Sequence, residues 1–257
     1  MAYAVVQKTL DPPSVEQLCR AVQAVPGLTR YDATVLAADA FGIIAENLSL
    51  ESASVIQRRL AAEGYETELV DQDKLPTLPP PTGLRRADCL PECLVVYDAL
   101  GRPKRIQWAQ VCLVAAGSVR LSEFKRVERQ YVVYHPGPWL LAVPVVLSDF
   151  ADREERNLRL ALEILIEAAP ARYRATAHNF NYGYLGPRQH RRPAENFALL
   201  VRDLMQLAIN ASANRGAVGL AQDPAQTLEY PARHAFEEEM IWLLWKLRGP
   251  RPLPGQT

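Results

Sequence analysis

The sequence predicts an α+β protein of two domains: a small βααβαβ domain, then a β-rich sandwich closed by a helix, with an amphipathic helix near the C-terminal end. Three observations predict it. Residues 1–73 alternate strand-like and helix-like apolar periods; residues 74–88 are proline-rich and hold neither period; residues 89–212 carry short Val-, Tyr- and Leu-rich runs before one long helical period. Residues 213–257 read as an extension with a helix over 234–248. A chain of 257 residues that is 49% hydrophobic and 23% charged is long enough for two cores without disulfide or metal staples.

The small domain opens with a strand, Tyr3–Gln7. After Pro12-Pro13, Ser14 and Gln17 form a capping box for a helix whose apolar positions are Val15, Leu18, Cys19, Val22 and Val25. Pro26-Gly27 ends it, and Thr29 with Asp32 makes a second box ahead of Ala33, Leu36, Ala37 and Ala40. A short strand over 42–45 follows. Ser49 caps a third helix carrying Ala53, Ile56 and Leu60, Gly64 stops it, and an alternating strand runs over 65–70.

Gly27-Leu28, Ala33 and Leu36, Ile43-Ile44, Ser49-x-Glu51-x-Ala53 and Leu60-x-x-x-Gly64-x-x-x-Glu68 follow one another in an order that resembles the C-terminal domain of the bacterial ribosomal stalk protein, over residues 1–72. The resemblance implies the fold. In that family helix lysines beside the Gly-Leu turn help recruit translation factors; here the corresponding positions are Tyr31 and Thr34, which cannot make charge-assisted contacts, so that activity is not carried over.

In the second domain, strands are expected at Cys93–Tyr97 and 104–108, joined by the turn 98–103. A strand over 111–115 is closed by Gly117-Ser118; others lie at 130–134 and 139–147 about the turn His135-Pro-Gly-Pro138. Segments 160–166 and 173–177 read as strands, but 157–168 also fits a helix through Leu158, Leu162 and Leu165. A helix over 194–209 presents Phe197, Leu200, Val201, Leu204, Met205 and Ala208 on one face. About seven strands before a long helix, with Ile106-x-Trp108-x-x-Val111-x-x-Val114-x-x-Gly117, resemble a pleckstrin-homology-like domain over residues 93–210. The chain as a whole resembles uncharacterised bacterial proteins, a likeness that implies no activity.

Charge and composition exclude several function classes. Lys+Arg 29 against Asp+Glu 29 leaves no global attraction for nucleic acid or an acidic membrane, so no general nucleic-acid binding is expected. No membrane span is expected, since the longest apolar run is read at 240–245 and a span needs about 18 residues. Met1–Lys8 lacks the pattern of a secretory signal, and the four cysteines make no disulfide framework; both point to the cytoplasm.

The search for chemistry yields no catalytic set and no cofactor. Cys89 and Cys93 could offer two thiolates to zinc, but the other two ligands of a tetrahedron are not in sight, so no metal is expected. Gly117-Ser118 lacks the second glycine of a nucleophile elbow, and phosphate-loop and dinucleotide fingerprints do not occur. Asp149, Asp152, Glu154 and Glu155 alternate with Arg153 and Arg156 in the manner of a solvated charged face. The richest stretch is 178–192. There Tyr182, Tyr184, His190, Arg191 and Arg192 could form a cationic rim for an anion, with His178 nearby; in the other reading Phe180, Tyr182 and Leu185 pack inward and the polar residues shape the turn. On the C-terminal helix Met240, Trp242, Leu244 and Trp245 are candidate partner-binding residues, because apolar surface runs nearly round it; packing across the two domains would satisfy the same surface. The function expected is a non-enzymatic interaction or regulatory (adaptor) protein with a protein partner or homodimer. The alternative is an enzyme or receptor that takes a small anionic ligand on the 178–192 loop.

Overall fold

In the computed structural model residues 1–71 have the expected element order. The structure describes residues 1–248 apart from 12, 24, 26, 137–141 and 168–169, with the backbone alone for 37–39 and 121–157. Strand β1 (Tyr3–Gln7), helices α1 (Val15–Val22) and α2 (Arg30–Asp39), strand β2 (Ile43–Leu48), helix α3 (Leu50–Ala62) and strand β3 (Thr67–Asp71) succeed one another. Both capping boxes form: Ser14 accepts from the Gln17 amide and Thr29 from the Asp32 amide, each reciprocated by the third helical residue. The strands pair antiparallel in the order β2-β1-β3.

Both faces of this sheet are apolar. Val5 and Ile44 sit over Leu18, Ala21, Ala53, Ile56 and Leu60 of α1 and α3. Ala4, Val6, Ile43 and Val70 form a second cluster with Leu75, Ile241, Trp242 and Trp245. Helix α6 (Arg233–Arg248) therefore covers the face that α1–α3 leave open. Its indoles are also anchored by polar bonds: Trp242 Nε1 donates to the Gln7 carbonyl at 2.6 Å, and Trp245 Nε1 donates to Glu68 Oε1 at 2.8 Å. Gly42, at φ +110°, lies where a Cβ would come within 2.5 Å of the Trp242 side chain, so the turn needs glycine both for its backbone and for its bulk.

The rest is built on a six-stranded mixed sheet. Strands β8 (Val111–Pro136) and β9 (Ala142–Ile166) are neighbours joined by residues 137–141 and so run antiparallel. Strand β10 (Ala171–Thr176) pairs antiparallel with β9, while β4 (Pro81–Gly83) pairs parallel with β10. The two-residue strands β11 (Ser212–Ala213) and β12 (Glu229–Tyr230) pair parallel with β8. A separate antiparallel sheet holds β5 (Ala87–Cys89), β6 (Cys93–Tyr97) and β7 (Pro103–Gln107). The main core joins Leu94, Ile106, Val114, Leu162 and Ile164 of these strands to Phe197, Val201 and Leu204 of α4 (Pro193–Leu207) and Leu220 of α5 (Arg215–Gln222).

Several expectations are corrected here. Gly117-Ser118 does not close a strand: β8 continues through it, because β12 supplies ladder partners to Ser118 and Val119, and the missing Cβ of Gly117 admits the Tyr230 ring. His135 and Pro136 belong to β8; the remaining turn residues and 139–141 lie outside the described residues. Segment 157–166 is strand, not helix: Ala161–Ile166 pairs residue by residue with Ala171–Thr176, and burial on every side from Ala161 to Ile166 explains why Leu spacing mimicked a helix. The 74–88 stretch contains β4 and the start of β5, and Leu75 is buried against α6. The sheet of 93–210 includes parallel pairs that the expected sandwich did not include.

By contacts the chain forms two compact units, one of residues 1–119 with 159–257, the other of residues 120–158. The second is the outer part of β8 and β9. Replacing Trp245 by Ala is expected to lower the unfolding free energy by about 3–5 kcal/mol, through lost packing on β1–β3. Gly42→Ala should also destabilise the fold, and denaturant titration of the full chain checks both.

Candidate functional site

Among the described side chains, the 178–192 loop and helix α6 with the strands beneath it carry the candidate groups; the 120–158 unit is described by its backbone. The loop leaves β10 through a turn at His178-Asn179 and enters a 3-10 segment, Gly183–Arg188, before α4. Phe180 and Tyr182 turn inward, their rings 5.1 Å apart, and the Tyr182 hydroxyl donates to the Ala177 carbonyl at 2.8 Å. Burial raises the Tyr182 phenol well above its ordinary value.

Tyr184 also serves the interior. Its hydroxyl donates to Asp203 Oδ2 at 3.0 Å, and Arg188 closes on both oxygens of the same carboxylate at 3.0 and 2.8 Å. Burial first, then the neighbouring Cys89 and Asp203, drive the Tyr184 phenol upward. The Cys89 thiol is pushed up to about 12, mainly by burial and then by the Asp203 charge, so it stays protonated and unreactive near neutral pH. All four cysteines are free thiols. Among the described residues no group of three His, Cys, Asp or Glu is placed to hold a metal ion.

His190, Arg191 and Arg192 take the opposite course and are exposed. The Asn196 side chain clasps the His190 backbone, accepting from its amide at 2.6 Å and donating to its carbonyl at 2.9 Å. Glu195 lies 3.6 Å from His190 Nδ1 and 3.7 Å from Arg192 Nη1. The structure therefore divides the five candidate loop residues: Tyr182 and Tyr184 are packing and hydrogen-bonding residues, while His190, Arg191 and Arg192 stand at the solvent-facing start of α4. His178 is exposed as well. They share a segment of chain, not one pocket.

On α6, Met240 is fully buried and Trp245 is 8% exposed, while Trp242 and Leu244 are half-buried. Trp242 and Trp245 are thus covered by this chain's own β1–β3 sheet. Sequence reading missed the polar side of the same helix. Arg172 and Glu163, both almost fully buried, are paired, and Arg172 Nη2 also donates to Glu237 Oε1 at 2.5 Å; Arg174 and Arg233 join the group at 2.5 Å from Glu163 and 2.8 Å from Glu237. Burial alone would raise the Glu237 carboxyl, but hydrogen bonds from Arg172 and Arg233 outweigh it and hold the group below the ordinary carboxylate value of 4.5.

A second buried network meets α6 two residues further on, at Glu239. Asn214 accepts from the Ala116 and Ala217 amides and donates to the Ala116 carbonyl and to the Tyr230 hydroxyl. Tyr230 in turn donates to Glu239 Oε2 at 2.5 Å, and Glu239 Oε1 accepts from the backbone and Nε of Arg215. Every polar atom in this chain of bonds has a partner, so it fastens α5, α6, β8 and β12 and offers no group to a substrate. A groove of about 460 Å³ runs beside Leu75, Pro76, Pro80, Arg172, Glu237 and Ile241, and Arg172, Arg233 and Glu237 along it are engaged in the pairs just described, while Glu46 also lines it.

The 120–158 unit differs from both. Strand β10 pairs with β9 only along Ala161–Ile166, and β11 and β12 reach no further along β8 than Val119. Within 120–136 and 142–158 the described backbone is therefore a two-stranded ribbon, paired only to itself. Between Arg129 and Asp149 the sequence holds no Asp, Glu, Lys or Arg, a longer uncharged stretch than the apolar run at 240–245. Tyr31, at the stalk-like position, is exposed, and Thr34 Oγ1 donates to the Arg30 carbonyl within α2. No helix among the described residues is long and apolar enough to cross a membrane.

Comparison of the chain with protein-family models, with curated proteins and with solved structures returns no match.

Two outcomes follow from the pairing pattern. Asp203→Asn should destabilise the chain by about 1–3 kcal/mol, because Arg188 and Tyr184 lose a charged acceptor, whereas His190→Ala and Arg192→Ala should stay within about 0.5 kcal/mol; thermal unfolding measures both. Stability contributed by Glu237 is present above the ordinary carboxylate value and is lost as pH falls through its lowered value, so an acid titration of unfolding should show a contribution that Glu237→Gln removes.

Proposed function

We propose that this chain is a non-enzymatic protein-interaction or regulatory module of the cytoplasm. The observation that carries this reading is the self-paired ribbon of 120–158. A two-stranded ribbon that stands alone is marginal in water, because each strand has one edge without ladder partners. A ribbon of about 17 residues per strand, some 55 Å long at ~3.3 Å per residue, therefore offers a partner long open edges.

Other features support the reading. Arg172 with Glu163, Glu239 with Tyr230 and Arg188 with Asp203 are committed to internal pairs, so their charges serve the fold. The βααβαβ order of residues 1–72 fits a stalk-like module. A pleckstrin-homology-like reading of residues 93–210 draws on the strand count and on the position of α4, while the parallel pairs weigh against it. Both would be binding folds rather than sources of chemistry. Free thiols accord with a reducing compartment.

The test is affinity capture with the tagged full chain, compared with Val132→Lys/Val145→Lys on the ribbon and with His190→Ala on the loop. A bound protein lost from the ribbon variant and kept by His190→Ala is the expected result. Retention of a small anionic molecule that His190→Ala releases would transfer the function to the loop.

A further inference from the structure

We infer that the hollow between strand β4 and the end of β10 is a binding site for a small phosphate monoester, held by the guanidinium groups of Arg85 and Arg174 with Thr176 and Asn179. The site uses no residue of the 120–158 unit and none of the loop candidates Tyr182, Tyr184, His190, Arg191 and Arg192. It goes beyond the interaction reading and does not depend on it.

Strand pairing brings these groups together. In the parallel pair of β4 and β10, Pro81 stands beside Arg172 and Gly83 beside Arg174. Side chains alternate between the faces of a strand, so Gly83 and Arg85 share a face with Arg174 and Thr176, while Leu84 and Ala175 enter the core on the other. Backbone bonds fix the frame: the Leu84 amide donates to the Arg174 carbonyl at 2.7 Å, the Asn181 amide to the Arg85 carbonyl at 2.7 Å and the Asn179 amide to the Thr176 carbonyl at 3.1 Å. Apart from its chain neighbours, Gly83 has no atom within 4 Å of where a Cβ would stand. A hollow of about 300 Å³ opens there, lined by Arg85, Arg174, Thr176 and Asn179, and no acidic residue is among its described lining.

Charge and geometry select the ligand. Arg174 donates through Nε to Glu163 Oε1 at 2.6 Å and through Nη2 to Glu237 Oε1 at 3.3 Å, and its side chain is 17% exposed, so its guanidinium is held in place with Nη1 unspent among the described residues. Around it Arg172, Arg174 and Arg233 share only Glu163 and Glu237, which leaves a positive charge over; Glu46 lines the groove beside Arg233 and not this hollow. Arg85 is exposed and has no ion pair among the described residues, and so adds a second cation. A carboxylate is satisfied by a single guanidinium fork. Two guanidiniums from neighbouring strands, with a hydroxyl and an amide, suit instead the three outer oxygens and double charge of a phosphate monoester. Strand β4 also ends its sheet, and because Leu84 takes the bond to β10, the Gly83 amide turns to the open edge as a further donor. The hollow matches the lower end of small-molecule sites, about 300–1,000 Å³, which keeps the ester group small.

The test is thermal unfolding of the full-length chain against inorganic phosphate at constant ionic strength. Phosphate should raise the unfolding midpoint progressively, where chloride and acetate do not. Gly83→Asp sets a carboxylate into the open space beside Arg174 and should remove the response without lowering the midpoint. Arg85→Ala should need about tenfold more phosphate for the same rise, through loss of a charge-assisted donor, and Thr176→Val should weaken the response in a chain of unchanged shape. His190→Ala should respond as the wild type does. The inference is overturned if phosphate acts no more strongly than chloride, if acetate matches it, or if Gly83→Asp and Arg85→Ala both keep the full response. Loss of the response in His190→Ala overturns it too, and moves the anion to the 178–192 loop. Cosedimentation with phosphatidylcholine vesicles, with and without phosphatidic acid, separates the sources: a soluble ester leaves the chain unbound, whereas binding that needs phosphatidic acid and that Gly83→Asp removes places the same monoester on a lipid headgroup. Failure here leaves the ribbon reading standing, because that reading is tested by capture with other variants.

Discussion

A three-stranded sheet with two apolar faces cannot be satisfied by helices on one side. In this protein α1 and α3 cover Val5 and Ile44, and the opposite face, Ala4, Val6, Ile43 and Val70, waits for residues more than 160 positions later in the chain. Helix α6 meets that need with Trp245, Trp242 and Ile241, and each indole N–H finds an acceptor on β1 or β3. Tryptophan suits the position because it buries a large apolar area while its polar edge still requires a partner. The β1–β3 sheet is covered on both faces only with α6 in place.

That dependence places the charged residues. Once the apolar stripe of α6 lies on β1–β3, its remaining sides face β9, β10 and the segment around β12. Glu237 meets Arg172 there, and Glu239 meets Tyr230 and Arg215. A carboxylate beneath a protein surface is costly unless its oxygens are bonded, and both are held in this way. Arg215 Nη1 also donates to the Leu10 carbonyl at 3.1 Å, so the same network reaches back to the first strand's exit. Buried polar groups here fix which helix face meets which strand.

The ribbon of 120–158 follows another logic. Where β8 and β9 lie beside β10, β11 and β12 they are interior strands; beyond Val119 and before Arg159 those neighbours end and the pairing is reduced to two. The backbone continues unchanged while its surroundings change, and the sequence changes with it, from small buried residues such as Ala115 and Ala116 to charged residues and then an uncharged end.

Local chemistry determined the small domain. Ser14, Thr29 and Ser49 announce helix starts through hydrogen bonds that need only three or four residues, and Gly64 marks a stop through its own backbone. Strand and helix identities over 1–72, the hairpin of β6 and β7 and the long helix α4 were legible for the same reason. Periodicity could not decide 157–166, because a strand buried on both faces has no alternation to read. Nor could it find β11, β12 or the continuation of β8 through Gly117, which exist only because distant segments supply their ladders. The candidate sites divide on the same line. Composition singled out the 178–192 loop and the C-terminal tryptophans, yet which of those side chains would be spent on Ala177, Asp203, Gln7 and Glu68 was decided only by the tertiary structure, since each partner except Ala177 lies far along the chain and hydrogen bonds across such distances leave no mark in local sequence.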